Sequence, residues 1–182
     1  IAVTDSLGHE VLINTGVKTN AQGNFFLPNA LPNGDPMPTS GTLVISGGIN
    51  IDTGLLNTTE LRAPLGSTVI NPLTTLVDSI MSASGITDPA AASAMVAASL
   101  GIPAGTDLTK YDPLAVLSDP TADPTLIEAA LASQKAAAQV VAIVVLAGGE
   151  ASSGVMSNLA SVISNASGGA VNFADSSTLS AA

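Results

Sequence analysis

The chain has 182 residues, 46% of them hydrophobic and 10% charged, with no cysteine, so disulfides and thiolate metal sites are excluded. Fourteen acidic residues against four basic ones give a formal net charge of -10, which repels phosphate backbones and anionic headgroups and makes nucleic acid a poor partner. The apolar content is ample for a buried core in one large domain or two small ones.

That core is expected to be aliphatic, because the aromatics are limited to Phe25, Phe26, Phe173 and Tyr111. The chain begins at Ile1 with no basic-then-apolar leader, which suggests a processed chain or a piece of a longer one. Its longest apolar run, "VVAIVVLA" (Val140 to Ala147), falls short of the roughly 18 to 20 residues that span a bilayer and reads as a buried helix, without membrane insertion.

Residues 1 to 63 carry short β-branched or aromatic runs, "IAVTD", "EVLI", "GNFFLP", "GTLVISG" and "TELRA", separated by Gly, Asn and Pro. This pattern predicts a small antiparallel β-sandwich-like domain over residues 1 to 67. Within it, "PNALPNGDPMPTSG" (Pro28 to Gly41) holds four prolines and two glycines and predicts a long loop between strands.

From Thr68 the period changes to that of a helix. Leu73, Leu76, Val77, Ile80 and Met81 form one apolar stripe, with Asn71 and Pro72 as N-cap and N1 and Gly85 past the end. A second helix is predicted between Asp88-Pro89 and Gly101. The run from Asp123 is apolar on nearly all sides between Ala136 and Ala147, which predicts the central helix. A last stripe comprises Val155, Met156, Leu159, Val162 and Ile163. The fold class is thus α+β, with the sandwich-like domain followed by an Ala-rich bundle of four to five helices over 68 to 168. Residues 169 to 182 form a tail in which Val171 and Phe173 suggest a strand.

Aspartate precedes proline at Asp35, Asp88, Asp112, Asp119 and Asp123. At Asp88, Asp112 and Asp123 the pattern predicts helix caps, since the carboxylate accepts first-turn N-H groups and Pro is tolerated at N1. A competing reading gathers Asp107, Asp112, Asp119, Asp123 and Glu128 into a calcium site, because calcium takes six to eight oxygens and a Pro-punctuated acidic loop supplies carboxylates and carbonyls. The spacing matches no EF-hand. "GGINIDTG" (Gly47 to Gly54) resembles one repeat-in-toxin nonapeptide, but a single copy cannot stack into a β-roll; Asp52 is a weaker metal candidate there. The single histidine, His9, lies in an "LGHE" turn, and no nucleophile-elbow, zincin or phosphate-loop pattern is present, so no enzyme activity is expected.

"VTDSLGHEVL" and "VKTNAQGNFFLP" resemble the carboxypeptidase-regulatory-like and related bacterial Ig-like sandwiches, at Val3, Asp5, Gly8, Thr19, Asn20, Gly23 and Phe25. "SGGINIDTGLLNTTELRAPLGSTVINPLTTLV" (Ser46 to Val77) resembles the linker and helix start of very long secreted bacterial adhesins and surface proteins. The resemblance covers about residues 3 to 80 and implies export to the cell surface or outside the cell. It implies a non-enzymatic structural or adhesive role, in attachment, biofilm or filament. Against that resemblance a first sandwich strand is expected ahead of Ile1, and a sheet that lacks it would invite pairing with another chain or an upstream domain. Two alternatives follow: a subunit that polymerises by donating the tail strand, or a calcium-dependent ligand-binding module. The external target is not named by any residue pattern.

Overall fold

The computed structural model describes residues 1–4, 13–20, 23–49, 54, 56, 59–147, 152–166, 169–171 and 173. Strands β1 (Ala2–Val3), β2 (Ile13–Asn14), β3 (Thr42–Ile45) and β4 (Leu61–Pro64) precede five helices: α1 (Pro72–Ser84), α2 (Pro89–Ser99), α3 (Pro113–Ser118), α4 (Pro124–Leu146) and α5 (Ser152–Asn165). The α+β order of strands followed by helices matches the expectation from the change of period.

Among the described residues the strands form one antiparallel sheet in the order β2-β1-β3-β4. The registers place Val3 opposite Leu43 and Leu43 opposite Ala63, so these three share one face. Leu31 completes their buried cluster, with Phe25, Leu27 and Met37 packed against it. The layer that covers this face is therefore loop, where the sequence suggested a second sheet. "GNFFLP" in particular is not a strand. Gly23, at φ 79, donates its N-H to the Asn20 carbonyl, and Asn20 donates to the Asn24 carbonyl. Main-chain groups that a ladder needs are spent on that turn.

The long loop is as predicted. Leu31 donates to the Asp35 carbonyl at 2.7 Å and Gly34, at φ 90, donates to the Leu31 carbonyl. The tight turn swings Leu31 under the sheet, where it is buried.

Each of the first four helices begins Asx-Pro. The caps are Asn71, Asp88, Asp112 and Asp123, and each side chain accepts an N-H from the first turn. Asn71 and Thr74 make a reciprocal capping box, and Gly85 at φ 66 closes α1 in the left-handed region that favours glycine. The helical core joins Leu73, Leu76, Val77 and Ile80 of α1 to Val96 of α2, Val140 and Val144 of α4, and Leu159 and Ile163 of α5. Each such side chain contributes on the order of 1.5–3 kcal/mol by leaving water.

The expectation for α4 needs correction. The central helix is α1, which packs against β4, α2, α4 and α5. On α4 the buried positions are Ala129, Ala130, Ser133, Ala136, Val140 and Val144, a single stripe. Leu131 is 57% exposed, Val145 64% and Leu146 83%. Apolar composition all round the helix did not translate into burial all round it, because neighbours cover one side only. By length and composition α4 could cross a membrane, with 33% of its most apolar window buried.

The C-terminal expectation also changes. Val171 donates its N-H to the Ser99 carbonyl at 2.7 Å, and Phe173 is 3% exposed within the helical core. These two residues are anchored in their own bundle. Donating them to another chain would empty that site.

Candidate functional site

The most heavily bonded polar cluster joins β4 to α1. Leu65 donates its N-H to Gly41 across the sheet, so the N-H of Arg62, an odd number of residues away, points off the opposite edge of β4. There it donates to Thr75 Oγ1 at 2.9 Å. The Arg62 carbonyl accepts from Thr74 Oγ1 at 2.9 Å. Each hydroxyl has one proton and two carbonyls in reach: Thr74 Oγ1 also lies 2.8 Å from the Asn71 carbonyl, and Thr75 Oγ1 lies 2.9 Å from the Asn71 carbonyl and 3.2 Å from that of Arg62, so the two hydroxyls can share these acceptors in either order. Thr74 Oγ1 in turn accepts the Asn71 N-H at 2.8 Å. Pro64, whose nitrogen faces the same outer side, is a residue that an edge strand tolerates. The β4 edge is thus covered by two buried threonines, and this edge is closed to strand addition.

One turn further along α1, Asp78 is buried and accepts from Thr42 Oγ1 of β3 at 2.7 Å. Burial raises its pKa above the ordinary aspartate value, while the Thr42 hydrogen bond and the Arg62 charge pull the other way. Arg62 itself is held by Glu60 at 2.8 Å. Sequence reading passed over Thr74, Thr75 and Asp78. The available signal was three polar residues set inside the apolar stripe of a helix, where Thr hydroxyls have to find partners.

The acidic stretch behaves differently from a metal loop. Asp107 Oδ1 accepts the N-H and hydroxyl of Thr109 at 3.0 and 2.6 Å. Asp119 does the same with Thr121 at 2.8 and 2.7 Å, and Asp123 with Thr125 at 2.8 and 2.6 Å. Asp112 Oδ1 accepts from Leu114 and Ala115 at the start of α3. Glu128 sits exposed on α4. Hydrogen bonds from Thr121 and Thr125 hold the Asp119 and Asp123 carboxyls below the usual carboxylate range. The five predicted calcium ligands do not converge: among the described residues no three His, Asp or Glu side chains are placed to share an ion. Their local signal was the repeated Asp-x-Thr, which builds self-contained turns. Asp52 and His9 lie outside the described residues.

Beside Asp112 a cleft of 480 Å³ opens between the sheet end, the start of α1 and the α3–α4 pair, lined by Phe25, Ile45, Asn71, Leu114, Ser133 and Gln134. Ser133 Oγ is buried and makes no hydrogen bond among the described residues. The lining contains no basic residue, so an anion finds no counter-charge there.

No family model, curated protein or solved structure matches the chain.

Proposed function

We propose that the chain is a non-enzymatic structural and adhesive module of a secreted bacterial surface protein or extracellular filament. The observation that carries the reading is the joint between β4 and α1. Main-chain groups of Arg62 are bonded to hydroxyls of Thr74 and Thr75, and Thr42 is bonded to Asp78. A pull along the chain is therefore met by several short polar bonds that break together, in partly buried surroundings where each is stronger than in water. The Asp residues of the acidic stretch are engaged in caps and turns, which suits a rigid spacer better than a catalytic centre. The resemblance of residues 3 to 80 to adhesin modules supports the same role and an extracellular location.

Single-molecule pulling tests it, with the chain placed between two reference domains. The expected trace has one cooperative rupture in which sheet and bundle open together. Separate low-force extensions of the two parts would overturn the reading. The strand-donating alternative is not favoured, since Phe173 is buried in its own core.

A further inference from the structure

We propose that the cleft beside Asp112 binds a small alkylammonium cation. Its 480 Å³ lies within the range of about 300–1,000 Å³ usual for small-molecule sites. Ser133 lines it, is 1% exposed, and keeps its Oγ without a hydrogen bond among the described residues. A helical serine often returns its hydroxyl to the carbonyl one turn back, as Ser79, Ser118 and Ser161 do in this chain. Ser133 does not. A buried polar atom without a partner costs free energy, and a donor entering the cleft would recover it.

Charge sets the sign of the ligand. Among the described residues that line the cleft, Asp112 alone is charged. Its Oδ1 accepts both cap N-H groups, from Leu114 and Ala115, and its Oδ2 accepts none among the described residues. The start of α1 is closed in the same way, since Asn71 Oδ1 takes the N-H groups of Leu73 and Thr74. Neither helix start therefore offers these donors to an anion, while Asp112 Oδ2 offers an acceptor to a cation. The net charge of -10 raises the local concentration of cations further. An ammonium group has three N-H donors and no acceptor, which suits a site with two acceptors that lack a donor. The alkyl stem has Phe25, Ile45, Leu114 and Ala137 to lie against. Leu114 is 64% exposed and gains from being covered. A saccharide is the poorer occupant, because Phe25 is the one aromatic ring in the lining and packs against the sheet core. The inference does not rest on the adhesive reading.

The test follows the amide signals of Leu114, Ser133 and Ala137 by NMR while the chain is titrated with n-hexylammonium chloride. Hexanol and sodium hexanoate serve as neutral and anionic probes with the same stem. Hexylammonium is expected to shift these signals to saturation, hexanol to bind more weakly, and hexanoate to leave them in place. Asp112→Asn keeps a good cap and removes the charge. Ser133→Ala removes a hydroxyl that makes no hydrogen bond among the described residues. Each variant is expected to fold as the parent does and to weaken hexylammonium binding about three- to tenfold. Signals that stay in place at about 50 mM hexylammonium overturn the proposal. So does hexanol that binds as tightly as the cation, or an affinity unchanged in Asp112→Asn or in Ser133→Ala.

Discussion

Thr75 Oγ1 accepts the outward-facing N-H of Arg62 at 2.9 Å, across the joint where the β part gives way to helix. Thr75 is 4% exposed, so removing the hydroxyl leaves a buried donor without a partner. Thr75→Val keeps the shape and takes away the oxygen. It is expected to cost about 1–3 kcal/mol, read as a lower midpoint in urea with an unchanged slope. Thr74→Val removes the capping-box acceptor of the Asn71 N-H, while Thr75 Oγ1, at 3.2 Å, can still donate to the Arg62 carbonyl, and it is expected to cost on the order of 1 kcal/mol. Because either hydroxyl can donate to the Arg62 carbonyl, the double variant is expected to lose more than the sum of the two.

The helix starts were legible for a local reason. Asn71-Pro72, Asp88-Pro89, Asp112-Pro113 and Asp123-Pro124 each combine an acceptor side chain with a fixed φ, and both effects act within three residues. The joint itself was readable only as a change of period. That Thr74 and Thr75 meet Arg62 depends on a contact across the fold, and no short window of sequence contains it. The same limit explains α4. Its composition was plain, but which face would be covered depended on where α1 and α5 came to lie. The carboxylates of the acidic stretch do not come together, because aspartates close in sequence turn an oxygen to their own Thr neighbours, a choice that residue type alone leaves open.

Asp78 and the Asp-x-Thr turns are expected to give opposite pH dependences. The folded pKa of Asp78 is raised by burial, so the native state holds that proton more tightly than the unfolded chain. Its ionisation destabilises the fold, and the penalty disappears as pH falls through the raised value and then the ordinary one. Asp78→Asn keeps an acceptor for Thr42 and cannot ionise. It is expected to melt higher than the parent at pH 7, with the gap closing as pH falls below about 4. A gap that stays constant across this range would show that ionisation of Asp78 is not the cause. Asp119 and Asp123 have lowered values. Their contribution is present above the ordinary aspartate pKa and is lost as pH falls through the lowered one. Thr121→Val with Thr125→Val is expected to reduce that acid-side loss, the backbone N-H bonds to the two carboxylates remaining.

Calcium is expected to leave the melting temperature unchanged against chelator. Asp107, Asp112, Asp119 and Asp123 each direct Oδ1 into a separate cap or turn, and among the described residues no three carboxylates stand close enough to share a cation. Circular dichroism melts in excess calcium and then in chelator decide the matter. A rise in calcium that is lost in Asp119→Asn would show that the turns open to bind the ion.

Phe173 offers the sharpest separation between a structural tail and a donated strand. Its ring is 3% exposed among α1, α2, α4 and α5 side chains, and Val171 ties the same segment to Ser99. Phe173→Ala is expected to cost about 3–5 kcal/mol, the usual range for emptying an aromatic site in a core. The loss should appear in dilute monomer and be independent of concentration. If the residue instead served a neighbouring chain, the variant would keep its monomer stability and lose only assembly. Thermal melts over a hundredfold range of concentration distinguish the two, since only a donated strand makes the midpoint depend on the amount of protein.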